Sequence, residues 1–258
     1  KQAGAVMRFR RFALLSSLLP LPALAEPTPI APLSAETLIA AEGQSVPATK
    51  NDGLLDWIAA FRPRALAAGI TPATLDRAFQ DVAYNPDVIE KDRNQAEFTR
   101  ALWDYLDSAV SDDRVANGIK ALRANAPLLD RIEAAYGVPK EVVVAVWGLE
   151  SSFGANRGSV PVIGALATLA HDGRRGAFFE AQLIDALRIL QSGDVDPDNF
   201  TGSWAGAMGH TQFIPSSYQS FAVDFNGDGR RDIWSDDPTD ALASTAAYLA
   251  KSGWTKGQ

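Results

Sequence analysis

The chain has 258 residues, enough for one large domain or two modest ones, and its 47% hydrophobic and 21% charged residues are an ordinary globular mix that excludes wholesale disorder. A net charge of −7 argues against a nucleic-acid backbone or an anionic bilayer as the main partner. The absence of cysteine removes disulfides, thiol nucleophiles and thiolate metal sites, and two histidines, His171 and His210, leave little room for a histidine-based zinc centre.

In chain order, Met7-Arg8-Phe9-Arg10-Arg11 is a short basic start. Residues 12–24 form an apolar run broken by Pro20 and Pro22, and Ala23-Leu24-Ala25 is a small-x-small cleavage site. Residues 1–25 therefore read as a Sec-type signal peptide, with residues 1–6 as extra sequence upstream of its methionine. The run is too short and too proline-broken to span a bilayer, and no cysteine follows it to carry a lipid. The expectation is an exported periplasmic protein without a membrane anchor, whose mature form carries 20 basic and 31 acidic residues. Residues 26–52, rich in Pro, Ala, Thr and Ser, read as a flexible linker that could hold a short helix at 34–41.

From residue 53 the patterning is helical. Leu54, Leu55, Ile58 and Phe61 recur at three- and four-residue steps. Thr71-Pro72 is a cap followed by proline at the first helical position, predicting a helix to Phe79. Further helices are predicted over 96–110, over 112–136 with an interruption near Pro127, and over 139–152. Others follow at 162–170, 176–191, 215–222 and 238–251. No segment shows convincing β-alternation. The predicted class is all-α, with one core from residue 53 to the end.

Val142 to Leu149 is apolar at every position, which predicts a helix enclosed on all sides. Glu150 follows directly, before Gly154 can end the helix. Apolar enclosure and the negative end of the helix dipole both disfavour a carboxylate there, so a raised pKa is expected. A carboxyl kept protonated near neutral pH is what a general acid requires. A structural glutamate paired with an arginine fits the same position equally well.

The segment Val143-Val144-Ala145-Val146-Trp147-Gly148-Leu149-Glu150-Ser151-Ser152-Phe153-Gly154 resembles the catalytic segment of the lytic murein transglycosylase B family. Residues 202–218, with Gly206-Ala207-Met208-Gly209-His210-Thr211-Gln212-Phe213 at their centre, resemble its second signature. Ala222-Val223-Asp224-Phe225-Asn226-Gly227-Asp228-Gly229 resemble a third. The resemblance runs from about residue 52 to the last. It implies a lysozyme-like α domain with additional helices, here spanning 53–258. Members of the family continue beyond this point, so the C-terminal part of the domain is expected to be missing.

By that resemblance the substrate is the glycan strand of peptidoglycan and Glu150 is the sole catalytic acid/base. It would protonate the oxygen between N-acetylmuramic acid and N-acetylglucosamine, then take the proton of the muramic acid 6-hydroxyl. Attack by that hydroxyl closes a 1,6-anhydro ring without water, so one carboxylate suffices where ordinary glycosidases use two. The resemblance also assigns sugar contacts to Ser203, Gln212, Tyr248 and Tyr105, and contacts to the acidic stem peptide to Arg174 and Arg175. On the residues alone, Gln212 could simply bond backbone, the tyrosines could be core, and the arginines a solvated pair. His210 departs from the family pattern and reads as a wall residue rather than a second catalyst. His171 reads as closing the helix before it.

Asp224, Asn226 and Asp228 occupy positions one, three and five of an EF-hand-like loop, with Gly229 at six and Arg230 offering its backbone carbonyl at seven. Position twelve is Ser235 instead of the usual glutamate. The resemblance places Asp240 as the closing ligand, with Asp236 as the alternative, and implies a structural calcium. A metal-free Asx-rich turn is the competing reading. Two other functions stay open at this level. A hydrolytic muramidase would need a second carboxylate, for which Asp172 and Glu180 are the acids nearest a motif. A non-catalytic, calcium-stabilised wall-binding module would need none.

Overall fold

The computed structural model describes residues 52–94 and 109–257, which hold ten α-helices and two very short strands. The leader, the linker, most of the helix predicted at 96–110 and Tyr105 lie outside the described residues.

Three short helices come first: α1 (Asp52–Ala67), α2 (Pro72–Phe79) and α3 (Pro86–Arg93). At α2 the Thr71 hydroxyl accepts the Thr74 N–H at 3.2 Å, as its sequence predicts. Helix α3 is absent from the sequence expectations, although Asn85-Pro86-Asp87 is a start signal. The Asn85 Oδ1 accepts the N–H groups of Asp87 at 3.1 Å and Val88 at 3.4 Å. The stretch 112–136 divides into α4 (Asp112–Ala124) and α5 (Ala126–Tyr136). The break falls at Asn125, whose side chain bonds back to the Ala121 carbonyl at 2.9 Å, just ahead of Pro127. Then follow α6 (Lys140–Ser151), α7 (Val162–Asp172), α8 (Gly176–Ser192), α9 (Pro215–Phe221) and α10 (Thr239–Lys251). Helix α7 ends on Gly173 at φ +82°, so the glycine closes it and His171 sits inside its last turn.

Strand β1 (Val160–Pro161) pairs antiparallel with β2 (Thr201–Gly202), Val160 opposite Gly202 and Pro161 opposite Thr201. Single bridges continue the ladder from Gly202 to Met208 and from Met208 to Phe213. Two residues per strand are too few to show alternation, so the sequence gives no sign of them.

Buried apolar side chains form two clusters. The larger gathers α7 and α8 with α1 to α3, through residues such as Phe61, Leu75, Leu166 and Leu187. The smaller joins α5, α6 and α10 through Leu129, Ile132, Val143, Trp147 and Leu242. Helix α10, buried from Asp240 to Ala247, contributes Ala241 to the first and Leu242, Ala243 and Ala246 to the second. Its run of small residues lets neighbouring backbones approach from both sides, and each fully buried Leu or Ile contributes about 1.5–3 kcal/mol.

The enclosure expected for the helix bearing Glu150 is corrected by the structure. On α6, Val143, Val144, Trp147 and Gly148 are buried, but Ala145 is exposed and Val142, Val146 and Leu149 are half-buried. Between α6 and α4 lies an open apolar groove of about 480 Å³, in which Val115 and Ile119 of α4 face Ala145 and Leu149. The helix that is enclosed all round is α7, where every residue from 162 to 170 except Gly164 is buried.

Candidate active site

Glu150 is the last but one residue of α6 and is half-buried. The helix stops at Ser151, within a residue of the end its sequence predicts. Ser152 takes a left-handed conformation at φ 51°, followed by Phe153 at 60° and Gly154 at 85°. The Ser152 N–H donates to the Gly148 carbonyl at 3.1 Å and the Phe153 N–H to the Trp147 carbonyl at 3.2 Å, closing the helix in a tight reverse turn. Only one other non-glycine residue among those described has positive φ, Gln212 at 50°. Such residues cost of order 1–3 kcal/mol each and persist where surrounding contacts over-determine them. All three fall in the two motifs assigned to the site.

The surrounding contacts are specific. A Cβ on Gly148 would stand 2.6 Å from the Phe153 ring, so any larger residue at 148 would force the ring to shift. The Ser151 hydroxyl donates to the His210 carbonyl at 2.6 Å, and the Gly154 N–H donates to that hydroxyl at 2.8 Å. The Trp147 indole N–H donates to His210 Nδ1 at 3.1 Å. Because the indole is donor-only, Nδ1 carries no proton, and Nε2–H donates to the Ser235 carbonyl at 2.7 Å. His210 is therefore a neutral imidazole. Burial holds its pKa below the usual histidine range, helped by the charge of Arg157, and the Ser235 carbonyl and the carboxylates of Asp232 and Asp236 only partly offset this. With both ring nitrogens occupied, His210 forms part of the wall, in keeping with its sequence reading.

The second motif folds as a tight ladder beneath this wall. Met208 and Phe213 exchange two backbone hydrogen bonds, at 2.9 and 3.0 Å, which places Gln212 in the turn. The Gln212 amide donates to the carbonyls of Gly209 at 2.9 Å and Arg157 at 3.2 Å. Its nitrogen thus bonds backbone, and no donor among the described residues reaches its oxygen. Ser203 is buried, and its Oγ accepts the N–H groups of Ala207 at 3.0 Å and Ala205 at 3.3 Å. The hydroxyl thereby braces the turn 203–207 as an acceptor. A Cβ on Gly202 would stand 2.2 Å from the Ala207 carbonyl oxygen, so the glycine permits that turn. Tyr248 packs edge-on against Phe221 and Phe213, with ring centres 4.8 and 6.0 Å apart, and so sits one residue from Gln212. Beside the end of α6 a cleft of about 540 Å³ opens, lined by Trp147, Ser152 and Phe153 and, across from them, by Arg114, Asn117 and Lys120 of α4.

Arg174 and Arg175 are partly exposed but ion-paired. Both hold the buried Asp92 of α3: Arg174 through Nε and a second nitrogen at 2.6 and 2.7 Å, Arg175 at 2.6 Å. Burial alone would raise the Asp92 pKa, but these charged hydrogen bonds outweigh it and hold the carboxyl below its usual range. Nothing in the sequence marks Asp92, since it lies on a helix the patterning missed and its partners are more than eighty residues away. Asp172 pairs with Arg93 at 2.6 Å, and Glu180 is held by two nitrogens of Arg64 at 2.7 and 2.9 Å.

In the loop before α10, Asp224 accepts the N–H groups of Gly227 at 2.6 Å and Gly229 at 2.8 Å, and Asn226 accepts that of Asp228 at 2.9 Å. Asp240 is buried and receives the N–H groups of Phe225 at 2.9 Å, Asn226 at 3.3 Å and Asp232 at 3.0 Å. Burial raises its pKa against the pull of those three donors, and the charge of Asp224 adds to the rise. Asp236, the alternative closing residue, is paired with Arg157 at 2.7 Å and points to solvent. Among the described residues no three acidic or histidine side chains converge as a metal cage. The donors are nonetheless all oxygen, the set a hard cation takes, and the loop wraps on Asp224 and Asp240.

A profile described as "Transglycosylase SLT domain" matches residues 53–258, four-fifths of the chain and every described element. The chain belongs to the transglycosylase SLT domain family. Over 154 residues its SLT domain is 40% identical to the membrane-bound lytic murein transglycosylase B of Escherichia coli K12, a match covering 59% of this chain and 42% of that protein. SltB3 of Pseudomonas aeruginosa, whose crystal structure holds NAG-NAM-pentapeptide, is 51% identical with a TM-score of 0.77, over 84% of this chain and 55% of that one. Escherichia coli Slt35 in complex with calcium is 32% identical with a TM-score of 0.69, over 82% of this chain and 68% of that one. The all-α, lysozyme-like expectation for the SLT domain holds. The chain spans about half the length of the first two relatives.

Proposed function

We propose that this SLT domain is a lytic transglycosylase that cleaves the β-1,4 bond between N-acetylmuramic acid and N-acetylglucosamine in peptidoglycan, with Glu150 as sole acid/base. The observation that carries the reading is Glu150 at the strained end of α6, while the two acids nearest a motif that a hydrolase could recruit are held by arginines. Asp172 is tied to Arg93 and Glu180 to Arg64. Protonated Glu150 gives its proton to the glycosidic oxygen as the C1–O bond breaks and the N-acetylglucosamine end leaves as an alcohol. The carboxylate then removes the proton of the muramic acid 6-hydroxyl, whose oxygen bonds to C1, and Glu150 is protonated again. No water is consumed and no second carboxylate is needed.

Gln212 Oε1, the Ser203 hydroxyl and the face of Tyr248 are the sugar contacts of this reading. Tyr105 is a further contact by resemblance. Arg174 and Arg175 meet the acidic stem peptide while anchored on Asp92, a reading supported by the NAG-NAM-pentapeptide bound to the 51%-identical SltB3. Asp224, Asn226, Asp228, the Arg230 carbonyl and Asp240 would hold a structural calcium. The raised Asp240 carboxyl beside Asp224 is an unfavourable charge pairing that a cation relieves. Export to the periplasm follows from the leader read at residues 1–25. Incubation with purified sacculi tests the main reading. Soluble fragments with 1,6-anhydro ends are expected from the wild-type chain and none from Glu150→Gln. Reducing ends would mean hydrolysis, and retention on sacculi without release would mean a binding module.

A further inference from the structure

Resting on the reading of Glu150 as the acid/base, we propose that His210 is the positioning residue that fixes the end of α6, and Glu150 with it, against the segment 233–235. The two residues of α6 that it grips bracket Glu150. Ser151 is the next residue, and its hydroxyl bonds the His210 carbonyl at 2.6 Å. Trp147 lies one helical turn earlier, and its indole bonds His210 Nδ1 at 3.1 Å. On its other side His210 is anchored twice more. Its N–H donates to the Ile233 carbonyl at 3.1 Å and its Nε2–H to the Ser235 carbonyl at 2.7 Å.

These four bonds meet on a residue only 3% exposed, with its ring edge against the Trp147 ring at 5.7 Å between centres. The ring also covers the turn that follows Glu150, since a Cβ on Gly154 would stand 2.5 Å from Nδ1. The left-handed Ser152 and Phe153 need such over-determination to persist. The chemistry required of residue 210 is narrow: a flat group with an acceptor on one edge and a donor on the other. A neutral imidazole meets this, and so does an amide, whereas a phenyl ring of similar size does not.

The comparison of His210→Phe with His210→Gln in the 258-residue chain tests this with two readouts. Amide hydrogen exchange at residues 152–154 is expected to accelerate about tenfold or more in His210→Phe while the α7 amides keep their protection, and to return most of the way in His210→Gln. On sacculi or a soluble glycan fragment, His210→Phe is expected to lower kcat by roughly 10- to 100-fold at a KM within about twofold of wild type, with His210→Gln recovering most of the loss. Trp147→Phe, which removes only the indole donor, should reproduce part of the effect and add little to His210→Phe. It also carries the test should His210→Phe fail to fold.

Unchanged exchange at 152–154 in the folded variant overturns the proposal, as does kcat within twofold of wild type. So does faster exchange throughout the molecule at unchanged kcat per folded molecule, which marks a merely structural role. If Glu150→Gln keeps wild-type turnover, or the wild-type chain releases no anhydro ends, the acid/base reading fails. The exchange pattern then decides alone whether His210 holds this segment.

Discussion

Helices α6 and α7 look alike in composition, each built on a mainly apolar run, yet they occupy opposite situations. Helix α7 is enclosed by α1, α3 and α8 and closes on Gly173. Helix α6 leaves Ala145 exposed along an apolar groove and closes on Ser152, a residue strained in that conformation. An apolar run thus gives the demand for burial but not its satisfaction. The helix with an open side and a strained end is the one that presents the candidate acid, while the fully enclosed helix sits at the centre of the larger core cluster. Contacts that stabilise and contacts that position are separated in this molecule, and substitutions should separate them too.

The largest effect expected is on chemistry without stability. Glu150→Gln keeps the shape and loses the proton, so release of anhydro ends should drop by on the order of 10²–10⁴-fold or more while sacculus binding and the denaturation midpoint change little. Next is stability without a direct part in chemistry. Leu166→Ala in α7 removes a fully buried side chain that also packs on Gly206 of the second motif, and a loss of about 2–5 kcal/mol in chemical denaturation is expected. The matched change on the open helix, half-buried Val146→Ala, should cost no more than about 1 kcal/mol. Equal costs for the two would erase the distinction between the helices.

Calcium should act on the helix that joins both clusters. Saturation at about 100 times Kd stabilises the folded state by about 2.7 kcal/mol. The melting temperature should rise accordingly, and the rise should vanish in Asp224→Ala and in Asp228→Ala. Melting curves that coincide in calcium and in chelator would mean that the loop braces itself through its own hydrogen bonds.

The smallest effect is confined to acid pH and belongs to the enclosed side. Asp92, gripped by Arg174 and Arg175 at the end of α7, has a folded pKa below its unfolded value of about 3.9. The unfolded chain therefore takes up the proton first as pH falls. The stabilisation is fully present above the unfolded pKa and is lost as pH falls through the folded one. The stability gap between wild type and Asp92→Asn should be constant near neutrality and narrow below about pH 4. A gap unchanged down to pH 2 would show that the arginines do not favour the carboxylate.

The sequence by itself determined the helical class, most helix starts and the order of the motifs. Those are local matters: Thr71-Pro72 caps its own helix, and the spacing of Asp224, Asn226 and Asp228 makes its own turn. It also marked Glu150, because an acid at the end of an apolar run is anomalous wherever it occurs. Helix α3 was legible in Asn85-Pro86-Asp87, but its short, charged body offers no apolar period to follow. Tertiary structure decided which apolar helix is enclosed, that Ser203 braces a turn, and that Arg174 and Arg175 stand on Asp92. It also decided the neutral state of His210, which depends on Trp147, 63 residues before it, and on Ser235, 25 residues after it. Each of these rests on partners brought together by the folding of distant segments, and neither residue spacing nor local propensity carries information about which distant donor will meet which acceptor.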